Sequence, residues 1–333
     1  MNTAAFTLLA VFLGAYVVLD GYDLGVGAMH LLLPRSDDER ATSLATIGPF
    51  WNGNEVWIIA AGGVLFALFP QAYAAAFSGF YLPLTIGLWL LMGRGMALEL
   101  RGHFANDLWH DFWDVTFAAC STMLALVFGV ALGNVVRGVP LDSNGYFTGT
   151  FASLLNWYAI LVGLFALGAL ALHGLTFAAW RSAVLATDHA QRLLQYLWIA
   201  VLALFAATTW ATLRVHPPTI GPILWMAPAA ALCALFTVRF ARNRALRFAA
   251  SSVFLAALMI AAAATIYPYV LPSYPVGSGG LTIYDASAGV HGLFAGTVVF
   301  AIGFCIVAVY GTLSARSMLR KSDSLDGPST GAG

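Results

Sequence analysis

Three carboxyl side chains lie inside stretches of sequence that are otherwise strongly apolar. Two of them, Asp20 and Asp23, occur in Leu19-Asp20-Gly21-Tyr22-Asp23-Leu24-Gly25-Val26-Gly27. The third, Glu55, occurs in Gly48-Pro49-Phe50-Trp51-Asn52-Gly53-Asn54-Glu55-Val56-Trp57. A charge at the centre of a bilayer costs about 3 kcal/mol on insertion scales, so charges kept there usually serve a purpose. Carboxyls at such a depth are suited to holding and passing protons.

The spacing of these residues predicts one polar cluster. At 1.5 Å per residue, Asp23 and Glu55 each lie roughly 15 Å from the inner ends of the first and second predicted helices. Asp20 shares the face of Asp23 at i, i+3. With no Lys or Arg expected at this depth, we expect at least one carboxyl to carry a proton, because burial and like charge both disfavour ionisation. The predicted cluster faces protein and contains Asp20, Asp23, Asn52, Asn54 and Glu55.

The same residues also have a structural interpretation. Buried Asn52 and Asn54 can lock helix packing through hydrogen bonds alone. Glycines in both motifs are expected to let the first two helices approach closely; these are Gly21, Gly25, Gly27 and Gly53.

Other polar residues are secondary candidates. His173, in Leu172-His173-Gly174, could be a haem ligand, a proton-relay group or a hydrogen-bonded packing residue. The remaining histidines fall at helix ends or loops without ligand spacing, and the three cysteines show no CxxC pattern. We therefore predict no metal site and do not expect this chain to be the main haem carrier. Glu99 and Arg101 could bind each other, a partner subunit or only solvent.

Composition sets the class of protein. The chain of 333 residues is 60% hydrophobic and 9% charged, with a mean hydropathy of +0.83, whereas soluble domains carry about 25% charged residues. The net charge of zero gives no indication of a nucleic-acid partner, and we expect none. We predict an all-α, polytopic membrane bundle of about nine spanning helices. The predicted spans are Ala4–Leu33, Leu44–Phe69, Ala72–Gly95, Asp114–Val136, Ser153–Trp180, Leu193–Val215, Pro222–Phe240, Phe248–Leu271 and Gly289–Leu313.

Basic residues predict the orientation. With nine spans, thirteen of the fifteen Lys and Arg residues fall on one side, which places the C-terminus in the cytoplasm and the N-terminus outside. The Asp20-Gly21 and His173-Gly174 pairs are a weak internal echo. It suggests one transmembrane domain, 1–321, of two four-helix units (about 1–136 and 153–271) and a last helix. The tail, 322–333, is polar and expected to be disordered.

Together these segments resemble subunit II of the cytochrome bd family of quinol oxidases. The two long motifs around Asp20 and Glu55 carry most of the resemblance. Further matching segments are Tyr73-Ala74-Ala75-Ala76-Phe77-Ser78-Gly79-Phe80-Tyr81, Gly133-Asn134 through Gly138-Val139-Pro140, His173-Gly174, Tyr267-Pro268, Leu271-Pro272-Ser273 and Leu281-Thr282-Ile283-Tyr284-Asp285-Ala286-Ser287.

The resemblance implies a bacterial inner-membrane complex that oxidises quinol and reduces oxygen to water with cytoplasmic protons. Haems b and d would be carried mainly by a partner, subunit I. This chain would be its structural twin, with a bound quinone and a small single-helix subunit as further expectations. Asp20 and Asp23 match the family's acidic pair, and Asp285 matches a late motif. Many relatives have Asp at the position of Asn52, so a relay through that position is in doubt and Glu55 or Asp20 would have to serve.

Two other functional classes remain open from sequence. Glycine-broken helices with buried carboxylates and a possible repeat also suit a proton-coupled secondary transporter. A purely structural scaffold is the third class. A transporter would purify alone and colourless, whereas an oxidase subunit would co-purify with a haem-rich partner.

Overall fold

The chain folds into a predominantly helical bundle with one small hairpin. The computed structural model describes residues 1–215, 222–275 and 279–325. Helices dominate because hydrocarbon offers no partner to backbone N–H and C=O groups. In these ranges the helices are α1 (Asn2–Met29), α2 (Asp37–Ile47), α3 (Trp51–Leu68), α4 (Pro70–Gly79), α5 (Tyr81–Leu100), α6 (Asp107–Arg137), α7 (Phe151–Leu154), α8 (Trp157–Arg181), α9 (Asp188–Val215), α10 (Pro222–Phe240), α11 (Arg244–Ile266) and α12 (Val290–Leu325).

Seven helices in the described part of the chain are long and apolar enough to cross a membrane. They are α1, α5 with the short 3-10 helix Arg101–His103, α6, α8, α9, α11 and the Val290–Val309 part of α12. The apolar part of α10, Trp225–Phe240, is shorter, and α3 begins with the polar motif around Asn54. The predicted count of nine spans is therefore not confirmed.

Two predicted spans are each divided into separate helices. The second, Leu44–Phe69, is divided at Gly48-Pro49-Phe50 into the polar helix α2 and the apolar helix α3. Pro49 has no N–H to donate and its ring obstructs a continuous helix. The third span is divided at Phe80 into α4 and α5. Glu55 therefore lies about 6 Å from the start of α3, so the count of about eleven residues along one unbroken helix is wrong.

Helix α1 lies at the centre of the bundle and contacts α3, α6, α8, α11 and α12. Its closest approach is to α8, where a Cβ on Gly25 would stand 1.9 Å from the carbonyl oxygen of Leu170. A Cβ on Gly174 would stand 2.2 Å from the backbone of Gly25. Gly21, Gly25, Gly27 and Gly53 were predicted to let the first two helices approach closely. That prediction is wrong, because a Cβ on Gly53 would meet nothing within 4 Å. Gly21 and Gly25 of α1 instead admit α8, and Gly27 lies against Ser121 of α6.

The remaining contacts are mostly between helices that follow one another in the sequence. α5 packs on α6, α8 on α9, and α10 on α11, while α1 and α6 both pack against α8. α12 packs on α3 and α1. The division into two four-helix units stays a prediction.

A two-stranded hairpin covers the end of the bundle where α1 begins. Strands β1 (Tyr269–Pro272) and β2 (Gly280–Thr282) pair antiparallel. The hairpin forms because α11 ends at Ile266, earlier than the predicted Leu271, and Pro268 follows. Asn2 of α1 donates a hydrogen bond to the carbonyl of Ile283 (2.7 Å). At the other end of the chain, the predicted tail falls mostly on residues 326–333, outside the described residues, and α12 continues to Leu325.

Candidate functional site

A fully buried arginine joins three helices in the middle of the bundle. Arg94 of α5 is 0% exposed. Its Nη2 donates to Asp20 Oδ1 of α1 at 2.7 Å and to Glu55 Oε1 of α3 at 2.6 Å. One guanidinium nitrogen therefore bridges two carboxylates that are 35 positions apart in the sequence, as the numbering of Asp20 and Glu55 shows.

The expectation that no cation lies at the depth of the carboxyls is wrong. The expectation followed from a predicted third span that ended at Gly95, which placed Arg94 at the membrane surface. Helix α5 instead continues to Leu100, so Arg94 lies six residues inside its end, about 9 Å. The apolar stretch Met96-Ala97-Leu98 after Gly95 was the sequence signal for this longer helix.

Asp23 is held by hydrogen bonds, without an ion pair in the described residues. Its Oδ2 accepts from Asn54 Nδ2 at 2.8 Å, and the same amide nitrogen donates to Tyr22 Oη at 2.7 Å. The Tyr22 ring stacks on Phe177 of α8 with centroids 4.0 Å apart. Asp23 and Asn54 are 1% and 8% exposed. The predicted contact between the two motifs is thus made by Asn54.

Several buried polar atoms around Arg94 have spare hydrogen-bonding capacity. Within the described ranges, no protein partner is found for Asp20 Oδ2, Asp23 Oδ1, Arg94 Nε, Arg94 Nη1 or Tyr16 Oη. Nearly all buried polar groups in proteins are hydrogen-bonded, either to protein or to ordered water. A site with several convergent polar groups is the kind that holds ordered water. The polar atoms around Arg94 can therefore bind ordered water, unlike the apolar side chains that surround this cluster.

Asn52 does not join the buried cluster. It is exposed on α3 and lies along an open groove between α3 and α5. The groove has a volume of about 480 Å³ and is also lined by Trp51, Glu55, Met92 and Glu99. The Glu55 side chain is 23% exposed. Glu55 is therefore the member of the cluster that connects the buried ion pairs to the surface of this chain.

A second charged cluster lies where α1 ends and α6 begins, and its central residue is Asp114. The Asp114 side chain is 0% exposed. Its Oδ1 is 2.7 Å from His30 Nε2 and accepts from Arg101 Nε at 2.6 Å. Its Oδ2 accepts from Arg101 Nη2 at 3.1 Å and from Arg40 Nη1 at 3.5 Å. Four segments of the chain are thereby tied together at this end of the bundle.

The suggested pairing of Glu99 with Arg101 is wrong. Arg101 is 6% exposed and binds Asp114 and Asp37, while Glu99 is exposed. Sequence reasoning missed Asp114 and His30 because both were placed at the ends of predicted spans. The signal was present, since a carboxyl and an imidazole at the ends of adjacent apolar helices can meet.

His173 is a fully hydrogen-bonded packing residue. Its Nε2 lies 3.0 Å from the carbonyl of Val18, and its Nδ1 lies 2.7 Å from Ser251 Oγ. The ring stacks on Phe248 with centroids 5.1 Å apart and is 0% exposed. Since both ring nitrogens are engaged, the structure favours the packing role among the three alternatives for His173.

Asp285 lies in the turn that follows β2, far from the buried cluster. Its Oδ2 accepts from Thr282 Oγ1 at 2.6 Å, and Thr282 Oγ1 accepts from the Asp285 backbone N–H at 3.2 Å. The neighbouring Ile283 binds Asn2 of α1, which is eighteen residues, roughly 27 Å, from Asp20. Asp285 therefore stabilises a turn at the opposite end of α1.

Comparison with known proteins decides the family. The sequence matches the family described as cytochrome bd terminal oxidase subunit II over residues 1–318. The chain belongs to this family.

Individual relatives agree with that assignment over nearly the whole chain. The chain is 32% identical to a probable cytochrome oxidase subunit 2 of Haemophilus influenzae, over 94% of this chain and 92% of the relative. It is 30% identical to the cytochrome bd-I ubiquinol oxidase subunit 2 of Escherichia coli K12, over 96% of each. The fold is similar to a chain of the bd oxidase from Geobacillus thermodenitrificans, with a TM-score of 0.77, 17% identity and coverage of 96% and 98%.

A cytochrome bd terminal oxidase contains haem, and a histidine that ligates haem must offer a free ring nitrogen to the iron. His173 uses both ring nitrogens, and His30 uses Nε2 to bind Asp114. In the described part of the chain, no group of three or more His, Cys, Asp or Glu side chains could hold a metal ion. His173 therefore does not fit haem ligation as it is arranged, whereas His30 keeps its Nδ1 without a hydrogen-bond partner among the described residues.

Proposed function

We propose that this chain, as subunit II, supports quinol oxidation coupled to the reduction of oxygen to water by a bd-type terminal oxidase. Membership in the family establishes a role in a terminal oxidase, and a subunit II implies a partner subunit I. Haems b and d belong, in this proposal, to the partner. The protons consumed in oxygen reduction come from the cytoplasm.

The observation that carries the mechanistic part is the sharing of Arg94 by Asp20 and Glu55. The buried cluster contains three carboxyls, including Asp23, and one guanidinium. If all three carboxyls were ionised, the site would carry two uncompensated negative charges in a medium of low dielectric constant, which is costly. The excess of carboxyls therefore lets the site hold protons while Arg94 stays charged.

A path follows from the exposure of these groups. Glu55 opens on the groove and can exchange a proton there, whereas Asp20 is completely buried. Ordered water bound to the unpartnered atoms Asp20 Oδ2 and Asp23 Oδ1 would connect the carboxyls. In this scheme Arg94 holds Asp20 and Glu55 close together, and the proton moves between carboxyls through water.

The groove also indicates the face that docks subunit I. Asn52, Glu55 and Glu99 lie along it, and hydrocarbon cannot satisfy their hydrogen-bonding groups. Large apolar side chains line the same groove, with Met92 61% exposed and Met96 44% exposed. A polar groove within an apolar face suits a protein partner better than lipid. We propose that subunit I covers this α3–α5 face, so that Glu55 opens towards the partner.

The proton path is tested by replacing single carboxyls in the complete oxidase. Asp20→Asn and Glu55→Gln are each expected to slow oxygen consumption and the acidification of vesicles, while the haem spectrum confirms assembly. Proton transfer by a positioned side chain typically contributes about 100-fold to 10,000-fold to a rate, so a loss of about 100-fold or more is expected. Glu99→Gln is the matched control, because Glu99 lines the same groove but binds none of the buried charges. Unchanged rates in both test variants would remove these residues from the path.

The remaining parts of the proposal concern the membrane and the partners. We place the chain in the bacterial inner membrane with nine spans, the N-terminus outside and the C-terminus in the cytoplasm. Single cysteines introduced at the two ends and labelled from each side of sealed vesicles test this topology. Purification should yield the haem-bearing subunit I, and lipid extraction of the complex tests for bound quinone. A small single-helix subunit would appear in the same preparation.

Two alternative classes make different predictions. The proton-coupled transporter is not favoured, because the oxidase family matches residues 1–318 and a transporter would purify colourless and alone. A pure scaffold predicts that no single carboxyl variant loses activity while the complex stays assembled. The Asp20→Asn and Glu55→Gln measurements separate the scaffold from the proton path.

A further inference from the structure

Arginines without acidic partners are concentrated in the second half of the chain. Residues 143–284 contain seven Arg and one acidic residue, Asp188. All seven lie near the ends of helices α8–α11, six of them at one end of the bundle and Arg214 at the opposite end of α9. These six are Arg181, Arg192, Arg239, Arg242, Arg244 and Arg247.

The helix order brings these six arginines to one end of the bundle. Helix α8 ends at Arg181 and α9 begins at Asp188, while α10 ends at Phe240 and α11 begins at Arg244. The side chains confirm the juxtaposition, since Arg247 Nη1 of α11 donates to Gln191 Oε1 of α9 at 2.8 Å. This is the end that the distribution of basic residues predicts to face the cytoplasm.

Their electrostatic surroundings differ from those of the other buried or half-buried arginines. Arg40, Arg94 and Arg101 each bind at least one carboxylate. Among the residues that the structure describes, none of the six arginines of α8–α11 forms an ion pair. Arg239 and Arg244 instead lie within electrostatic reach of Arg247, so like charges repel each other there. A bound anion would relieve this repulsion.

Part of this patch is held in a fixed geometry. Arg247 is half-buried, and its Nε donates to the carbonyl of Ala241 at 2.7 Å in addition to the Nη1 bond to Gln191. Arg242 and Arg244 are exposed on either side of Asn243. Arg239 lies over the ring of Phe240, with its Cζ 5.5 Å from the centroid. Four guanidinium groups thus surround the three-residue turn between α10 and α11.

The surface next to the turn is apolar, which identifies the source of the anion. Phe240 is 67% exposed, Leu246 is 50% exposed, and Phe236 one turn earlier is 41% exposed. An arginine cluster directly above exposed apolar side chains matches a phospholipid, whose phosphate lies above its acyl chains. A soluble anion or an acidic protein segment would have no need of the apolar surface beside it.

We propose that Arg239, Arg242, Arg244 and Arg247 form a binding site for the phosphate of an anionic phospholipid headgroup at this end of α10 and α11. Gln191 holds Arg247 in position. The site lies on the second half of the chain and is independent of the Arg94 cluster, so it stands or falls separately from the proton path.

The test measures lipid retention by the complete oxidase. The purified complex, released from nanodiscs of phosphatidylglycerol and phosphatidylethanolamine, is examined by native mass spectrometry. Each basic side chain near a membrane surface contributes about 1 kcal/mol, so Arg242→Gln combined with Arg244→Gln should weaken phosphatidylglycerol binding by about 30-fold. Both side chains are exposed, so the variant should assemble normally, which the haem spectrum checks.

Control variants and competitors make the outcome decisive. Arg214→Gln removes an exposed arginine at the other end of α9 and should leave lipid binding unchanged. Inorganic phosphate and poly-glutamate at matched concentrations should not displace the lipid. The proposal is overturned if the double variant binds phosphatidylglycerol like the unaltered complex, or if phosphatidylethanolamine binds equally well. Displacement by phosphate or by poly-glutamate would also overturn it, by indicating a soluble anion or an acidic protein segment.

Discussion

Replacing Arg94 with methionine tests whether the buried ion pairs organise the first helices. Methionine keeps much of the length of the side chain but removes the charge that Asp20 and Glu55 share at 2.7 Å and 2.6 Å. Removing one partner of a buried ion pair costs about 3–5 kcal/mol, because the other charge stays buried without compensation. Asp20 is completely buried, so the full cost should apply to it, while Glu55 can be partly rehydrated through the groove.

The loss of stability in Arg94→Met should appear as a lower melting temperature of the purified complex. With an unfolding entropy of about 2.1 cal/mol/K per residue, 1 kcal/mol shifts the midpoint of a chain of 333 residues by about 1.4 °C. Arg94→Met should therefore lower the midpoint by about 4–7 °C. The midpoint is read from the haem absorbance and from the elution of the assembled complex during a temperature series. Much of the assembled complex should be lost during purification at elevated temperature.

A compensating variant distinguishes charge from packing. Combining Arg94→Met with Asp20→Asn and Glu55→Gln removes the stranded charges, and replacing a buried ion pair by neutral groups is often close to neutral. The triple variant should therefore regain most of the lost stability without regaining oxidase activity. A midpoint of Arg94→Met within 2 °C of the unaltered complex would refute the reasoning, as would a triple variant less stable than Arg94→Met alone.

Three further predictions concern other parts of the structure. Gly25→Ala should prevent assembly, because its Cβ would overlap the α8 backbone, whereas Gly53→Ala has open space and should assemble normally; haem-containing complex after purification is the readout. Asp114→Asn should lower the melting midpoint by the equivalent of about 3 kcal/mol, since Arg101, Arg40 and His30 each lose a bond to the buried Asp114 carboxylate, whereas Asp111→Asn, with a 66% exposed side chain, should cost less than about 1 kcal/mol. His173→Leu should cost about 1–3 kcal/mol through unsatisfied hydrogen bonds and leave the haem spectrum unchanged; an assembled complex that has lost a haem band would contradict the packing role.

The sequence was informative about residue types and helices but not about helix ends. Long apolar runs were sufficient to place α1, α6, α8 and α11. The two long motifs were sufficient to select Asp20, Asp23 and Glu55. The break at Pro49 was missed because apolar residues continue through Gly48 and Phe50, so hydropathy alone sees one span. Helix ends depend on local backbone hydrogen bonds, which a hydropathy average over about 20 residues does not resolve.

The partner of the carboxyls was missed for a related reason. Arg94 lies at the end of an apolar run, where the usual interpretation of an arginine is a charge that extends to the membrane surface. Its side chain turns inwards because two carboxylates on α1 and α3 are available, and neither is near it in the sequence. Only one sequence observation pointed to this long-range pair, namely three buried carboxyls without a counter-charge. Such a set calls for one of the arginines near the membrane surface to lie inside the bundle.

Asp20-Gly21 and His173-Gly174, the two pairs of the internal echo, lie near one another where α1 and α8 cross, since a Cβ on Gly21 would stand 3.7 Å from His173 Cδ2. Gly25 and Gly174 let the two backbones come together, and His173 then reaches the carbonyl of Val18 on α1. A carboxylate in place of His173 would be buried without an arginine to pair with, whereas a neutral imidazole is hydrogen-bonded to both the Val18 carbonyl and Ser251 Oγ. The charged network is confined to the side of α1 that faces α3 and α5, which is the side with the groove.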